Sequence, residues 1–390
     1  MTPPSSVRPE TSEEQLHVLA FCDYMQEPMG GGAEIVSTEI YRRLDAEAGF
    51  DVHVLSGVVG SGSTPPAGVS VETVRGVDLS RIIGGQLSVA PTLPWRAFRA
   101  FRRRRPDVIH ASSLHFFGSL VGAAMAALTK VPLVTTCHLS GLDALPPRTR
   151  RLASLHEALI GRFILGRSAK VIAVSGAVRD HVVATLGVEP GKVEVVENGV
   201  DSERFAPVER SDGRFVVASV GRLIQNKGPL ELVEAFRQLD DADAELRIAG
   251  TGPLAEAVAE AAAGDDRIKL LGHRSDVPEI LGDADVFVRC STTEGRSLAI
   301  LEAMAAGCAV VASDIEANAE MIDHDRNGVL VPPGDVGCLA LALKRLDNER
   351  DRCAALGSQG RADAEASSWV GAALATADVL RAGARESASR

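Results

Sequence analysis

The sequence predicts an α/β protein made of two doubly wound units. Short apolar runs alternate with helix-like segments along the whole chain, the pattern of parallel strands covered by helices on both faces. That alternation pauses once, between residues 198 and 213, and then restarts. Aromatic residues make up only 4% of the 390 residues while glycines number 37, which suits an Ala/Val/Leu core with many tight turns. The length itself fits two domains.

The elements follow in order. Residues 1–15 are polar and rich in Pro, Ser and Glu, and read as a flexible leader. Leu16–Cys22 is a strand ending at Gly30-Gly31-Gly32, and Ala33–Ala46 a helix with Ile35, Ile40, Tyr41 and Leu44 near one face. Strands Asp51–Ser56, Asp107–Ala111 and Pro132–Cys137 come next, with an Ala-rich helix from about Phe117 to Leu128 between the last two. A long helix from about Arg148 to Gly166 leads to strand Lys170–Val174, and Ser175 is placed to cap the helix through Ala184. Lys192–Val196 closes this unit, which spans 16–197. The Asn198-Gly199 turn opens the linker 198–213.

The second unit, 214–365, has strands at Phe215–Val220, Glu245–Ala249, Ile268–Leu271, Ala284–Val288, Ala309–Ala312 and Val329–Val331. Between them lie helices at Gly228–Leu239, Leu254–Ala263, Val277–Leu281 and Ser297–Ala306, and two helical segments follow the last strand. In open α/β sheets ligands bind at the carboxyl ends of the strands, so two facing units place a cleft between them.

Charge divides unevenly. The net charge is −11, but residues 1–200 hold 20 basic and 19 acidic side chains, whereas 201–390 hold 21 and 33. Residues 96–192 alone carry 15 basic against 5 acidic. The overall balance argues against nucleic acid as a partner. Cys22, Cys137, Cys290, Cys308, Cys338 and Cys353 show no CxxC spacing and read as buried thiols of a reducing compartment. The longest uncharged apolar stretch, Phe116 to Leu128, is too short to span a bilayer, so a cytoplasmic location is expected.

The segment Ser291 to Asp314 carries the most chemistry. Glu294 precedes a helix beginning near Ser297, and Glu302 lies inside it. The free N–H groups around Ser297, Leu298 and Ala299, with the positive end of the helix dipole, make an anion site. Both carboxylates could accept sugar hydroxyls; as two solvated glutamates they would do nothing. Arg222 and Lys227 flank a strand-to-helix loop, where two cations could neutralise a diphosphate. Gly250-Thr251-Gly252-Pro253 is a turn of small residues that lets a backbone approach a nucleotide.

These segments resemble the donor-binding half of glycosyltransferase family 4, the retaining transferases of the GT-B fold. Glu294-Gly295-Arg296-Ser297-Leu298-Ala299 through Glu302-Ala303-Met304-Ala305-Ala306-Gly307 is similar to that family's E-G-F-G-L-P-x-x-E-A-M-A-x-G, with Arg296, Ser297 and Ala299 departing from it. Val220-Gly221-Arg222 to Lys227-Gly228 and Gly250–Pro253 resemble two further elements, and Gly328 and Pro332–Asp335 a structural turn. The Gly30–Glu34 loop, with Gly31 and Gly32, resembles the family's G-G-A-E.

The resemblance implies a GT-B architecture, two Rossmann-like domains with a C-terminal helix, 366–385, crossing back to the first. The first domain would bind the acceptor and the second the nucleotide sugar. Arg222 and Lys227 would hold the diphosphate, Glu302 the ribose, and Glu294 the transferred sugar, supported by the loop N–H groups of Gly295, Ser297, Leu298 and Ala299. His273 and Arg274 would meet the base through main-chain atoms. His138, at a strand end, would touch the sugar from the other domain. His110 and His115 read as structural or acceptor-side residues, structural being favoured.

Three Asp-x-Asp strings, Asp241–Asp243, Asp283–Asp285 and Asp323–Asp325, read as solvated loop carboxylates. With two cations at the diphosphate, no cofactor and no divalent metal are expected. Trp95 to Arg105 places aromatics at i, i+3 and i+6 beside arginines. As a helix it reads first as a docked element with a basic end, and leaves open contact with an anionic membrane.

The function expected is transfer of a sugar from a nucleotide diphosphate sugar, UDP- or GDP-linked, to a hydroxyl acceptor (a saccharide, a lipid-linked sugar or a small natural product) with retained anomeric configuration. A nucleotide-sugar 2-epimerase of the same fold and a non-catalytic sugar- or nucleotide-binding protein are the alternatives. The first would isomerise the donor without an acceptor. The second is disfavoured by the presence together of Arg222, Lys227, Glu294 and Glu302.

Overall fold

The computed structural model describes residues 15–27, 31–59, 64–78, 88–141, 147–208 and 213–388. Most of the leader and the first of the three loop glycines lie outside these. In the first half the elements are β1 (Leu16–Phe21), α1 (Gly32–Glu47), β2 (Phe50–Val58), β3 (Ser70–Arg75), the short antiparallel pair β4 (Val77–Asp78) and β5 (Ser88–Val89), and α2 (Leu93–Arg103). Then come β6 (Val108–Ala111), α3 (Phe117–Thr129), β7 (Leu133–Cys137), α4 (Pro147–His156), a π-helical turn Glu157–Gly161, α5 (Arg162–Arg167), β8 (Ser168–Ala173), α6 (Gly176–Ala184) and β9 (Val193–Val195). Strands 1–3 and 6–9 form one parallel sheet in the order β3-β2-β1-β6-β7-β8-β9.

The second half contains β10 (Val216–Val220), a 3₁₀ turn Gln225–Lys227, α7 (Pro229–Phe236), β11 (Glu245–Ala249), α8 (Ala255–Ala262), β12 (Ile268–Gly272), α9 (Val277–Gly282) and β13 (Val286–Arg289). It continues with α10 (Leu298–Ala305), β14 (Ala309–Ser313), α11 (Glu316–Ala319), β15 (Gly328–Val331), α12 (Val336–Asn348), α13 (Arg350–Glu365) and α14 (Trp369–Ala388). The second sheet is also parallel, in the order β12-β11-β10-β13-β14-β15. In both sheets the direction of winding reverses beside the first strand, between β1 and β6 and between β10 and β13. Those are the crevices where the strand ends open to a ligand.

Side-chain alternation explains the layers. In the first sheet Leu19, Phe21, Ile109 and Leu133 face α2, α3, α5 and α6. Val18, Ala20, Val108 and Val134 face α1 and α14 on the other side. The C-terminal helix thus packs on the first sheet, burying Trp369, Ala373, Ala377 and Leu380. Two chain crossings run side by side: Val200 N–H donates to Ser367 O at 2.8 Å, and Val200 bridges Ser368. In the second sheet Val217, Ile248 and Val288 face α7, α8 and α12, while Phe287, Val310 and Ala312 face α9 and α10.

The structure refines several expectations. β3 lacks a continuous apolar run, because it is an edge strand with only Val74 buried. The long helix expected over 148–166 is interrupted by the π turn, where Glu157 is buried against His115. The two helical segments expected after the last strand are α12 and α13, and the C-terminal helix is α14. Ser175 caps α6 as expected, Val178 N–H donating to its Oγ at 3.2 Å. All six cysteines are free, and five are buried. Among the described residues no helix is long and apolar enough to cross a membrane.

Candidate active site

The loops leaving β10 and β13 meet at the crevice of the second sheet. The first carries Arg222 and, closing the 3₁₀ turn, Lys227; the second carries Glu294 just before α10. Lys227 Nζ lies 2.6 Å from Glu294 Oε1, and Ser291 Oγ donates to the same oxygen at 2.7 Å. Burial works to raise the Glu294 pKa, but Lys227 and then Arg289 outweigh it, and the carboxyl is held below its ordinary range. Burial pulls the Lys227 pKa down, with Glu294 opposing. Arg222 is exposed, and its charge reaches Lys227 and, across the cleft, Glu34.

Ser297 stands at the start of α10 without capping it through its side chain. The N–H groups of Leu298 and Ala299 therefore keep their anion-binding capacity. One turn further in, Glu302 is pushed up to about 7 by burial, with Arg204 and Arg289 partly opposing. Gly252 follows β11 and packs so tightly on the Leu223 carbonyl that a Cβ there would collide with it. Gly250 N–H donates to Gly272 O at 2.7 Å, which seats this turn beside the end of β12. His273 and Arg274 follow on that edge strand, two positions from β10; both are exposed, and Arg274 turns to Asp276, Nε to Oδ1 at 2.7 Å.

The first sheet supplies the opposing wall. His138 follows β7, and its Nε2 donates to Ser112 O at 2.8 Å, which leaves Nδ1 as an acceptor. Burial lowers its pKa to about 4, so the ring is neutral. His110 is buried between Tyr41 OH, 2.8 Å away, and Thr136 Oγ1, 2.9 Å away, a structural arrangement. His115 pairs with Glu157 at 3.0 Å. Gly31 precedes α1, where Glu34 folds back over the glycine; Gly32 lies against the Leu298 side chain of the second half.

The two halves touch directly at the Glu294 loop. Ser140 Oγ donates to Glu294 O, Ser175 Oγ to Gly295 O at 2.7 Å, and Asn198 Nδ2 to Arg296 O at 3.2 Å. The Glu320 carboxylate accepts from Gly176 N–H at 2.8 Å at the start of α6. Gly295 sits against the His138 carbonyl with no room for a Cβ. Arg296 turns inward, its Nη2 2.8 Å from Glu197 Oε2. These contacts close the cleft over the Glu294 loop.

Sequence reasoning missed Arg289. It ends the otherwise apolar strand Val286-Phe287-Val288, is 5% exposed, and stands 3.8 Å from Glu294. A charge at the end of a buried strand was the available signal. The Asp-x-Asp strings serve the framework: Asp285 Oδ2 accepts from Val216 N–H at 2.7 Å, Asp283 pairs with Arg247, and Asp323 with Arg326. Among the described residues no group of three or more His, Cys, Asp or Glu side chains is placed to hold a metal ion.

Comparison with known proteins agrees with this geometry. A family model described as Glycosyltransferase Family 4 matches residues 30–204, and one described as Glycosyl transferases group 1 matches 214–349. A 2-deoxystreptamine glucosyltransferase of Streptomyces kanamyceticus is 30% identical over 63% of this chain and 69% of its own length. An alpha-maltose-1-phosphate synthase of Mycolicibacterium smegmatis is 29% identical over 90% of this chain and 95% of its own. Among solved structures, Anabaena HepE in complex with UDP and glucose shares the fold with a TM-score of 0.76 at 22% identity, covering 93% of this chain and 99% of that one.

Proposed function

The chain belongs to glycosyltransferase family 4, and from that premise we propose that it transfers a glycosyl group from a nucleotide diphosphate sugar to a hydroxyl acceptor with retention of anomeric configuration. The observation that carries the reading is the Lys227–Glu294 pair at the start of α10, opposite His138. Arg222 and Lys227 take the diphosphate and stabilise the charge that develops on the leaving group. Glu302 accepts the ribose hydroxyls. Glu294 and the N–H groups of the following helix start hold the transferred sugar, and neutral His138 meets it from the first domain. His273 and Arg274 bound the base.

Among the described residues no carboxylate stands out as a nucleophile, which favours a front-face displacement in which the leaving phosphate takes the acceptor proton. UDP is the nucleotide favoured, because the HepE complexes of the same fold contain it. The first domain, with its basic stretch, faces the acceptor, and α2 offers an anionic membrane a surface of Trp95, Phe98 and arginines. The decisive experiment incubates the protein with UDP- and GDP-sugars, each with and without a panel of hydroxyl acceptors, and reads products by NMR. An acceptor-dependent product of retained configuration is expected. A C2 isomer formed without acceptor would instead mark an epimerase, and binding without turnover a non-catalytic protein.

A further inference from the structure

Glu294 has two cationic neighbours of different character. Lys227 reaches it on a flexible four-carbon stem from the 3₁₀ turn. Arg289 is fixed: its Nη2 donates to Val220 O at 2.6 Å, and its guanidinium lies over the Phe287 ring, 5.5 Å from the centroid. Arg289 Nε is buried without a hydrogen-bond partner and stands 3.8 Å from Glu294 Oε1, the oxygen that also meets Lys227 and Ser291. A shift of about 0.8 Å would bring that orphaned donor into hydrogen-bonding range.

We propose that Arg289 is the standing counter-ion of Glu294, taking over the carboxylate when Lys227 leaves it for the diphosphate of an incoming nucleotide sugar. The inference rests on the nucleotide-sugar reading of the site. Lys227 cannot serve the diphosphate and Glu294 equally, since its one charge is already paired 2.6 Å away. Without a second cation the departing lysine would leave a buried carboxylate with only the Ser291 hydroxyl, and such a group takes up a proton. A protonated Glu294 would lose acceptor capacity toward the sugar hydroxyls. Arg289 is thus a positioning residue acting through Glu294. The other charges near this centre, Arg222 beside Lys227 and Glu302 within the field of Arg289, lie at longer range.

The test is proton uptake on binding UDP and GDP, measured by titration calorimetry near pH 6.5 in two buffers of different ionisation enthalpy. Arg289→Met should take up about one proton more per nucleotide bound than the unaltered protein. Arg289→Lys, which keeps the charge, should match the unaltered protein. Should Arg289→Met fail to fold, Arg289→Gln, polar but uncharged, gives the same reading. In Arg289→Met/Glu294→Gln the extra proton should vanish. Equal uptake with and without the arginine charge overturns the proposal, as does an extra proton that survives the double substitution, which would belong to Glu302. Failure of the unaltered protein to bind either nucleotide overturns the nucleotide-sugar reading itself, and the proposal with it.

Discussion

Lys227 Nζ stands 2.6 Å from Glu294 Oε1, so the residue proposed for the diphosphate is paired with the one proposed for the sugar. Donor binding must separate them, and the two substitutions should therefore act oppositely on nucleotide affinity. Lys227→Ala should weaken UDP or GDP binding by about 10–100-fold, the worth of a hydrogen bond to a charged group. Glu294→Gln should bind the bare nucleotide at least as tightly as the unaltered protein while losing transfer by about 100-fold or more. Titration calorimetry beside a transfer assay reads both. Weaker nucleotide binding by Glu294→Gln would refute the competition.

Gly295 is pressed against the His138 carbonyl across the cleft. A methyl group there must push the two halves apart. Gly295→Ala should reduce transfer by about 100-fold, the scale of an ångström-sized misplacement, with little loss of nucleotide affinity. Small-angle scattering should show a more open molecule than the unaltered protein. An alanine variant with unimpaired transfer would show that this closure is not needed.

Glu302 carries a pH prediction with a defined sign. Its folded pKa is raised from 4.5 to about 7. The folded state thus holds a proton that the unfolded chain releases, and the stability this gives, present below pH 4.5, is lost as pH rises to 7. Glu302→Gln should therefore raise the melting temperature at pH 8 and leave it nearly unchanged at pH 4.5, a difference worth roughly 3 kcal/mol. In the ribose role proposed for it, ionised Glu302 is the stronger acceptor, so nucleotide affinity should strengthen from pH 6 to 8. A melting profile of Glu302→Gln parallel to that of the unaltered protein across this range would contradict the assignment.

The fold was legible because parallel strands buried on both faces read as apolar runs; Arg222, Lys227 and Glu294 showed as charges in the loops after such runs, and Glu302 as a charge inside the helix that follows Glu294. β3 was hidden since its exposed edge needs no apolar face. The pairing of Lys227 with Glu294, 67 positions apart, and the closing contacts from Ser140 and Ser175 join residues that no local pattern connects. Arg289 escaped because its burial depends on Phe287 and the Val220 carbonyl of a neighbouring strand.

In the proposed reading, Arg222 and Lys227 at one crevice would supply the charge that a divalent ion brings to a diphosphate elsewhere. Transfer should be unchanged in excess EDTA and unaffected by added magnesium or manganese. Arg222→Ala/Lys227→Ala should not be rescued by either metal. Loss of transfer in EDTA, restored by one of these ions, would overturn the metal-free reading.

The helix α2 packs Leu93 and Ala97 inward and leaves Trp95 57% and Phe98 56% exposed. Arg96 and Arg99 lie over the Trp95 ring, and Arg102, Arg103, Arg104 and Arg105 follow, all exposed. Two of these arginines are engaged, Arg96 with Glu72 and Arg104 with Asp51, so three of the last four remain to meet anionic headgroups. At about 1 kcal/mol per arginine near an anionic surface, replacing all four by Ser should weaken binding to phosphatidylserine vesicles by roughly 100-fold. Trp95→Ser/Phe98→Ser should weaken it further, and high salt should abolish the arginine share but not the aromatic one. Sedimentation with anionic and neutral vesicles decides the matter: equal binding by the unaltered and arginine-less proteins would leave α2 as a docked helix with a solvated basic end.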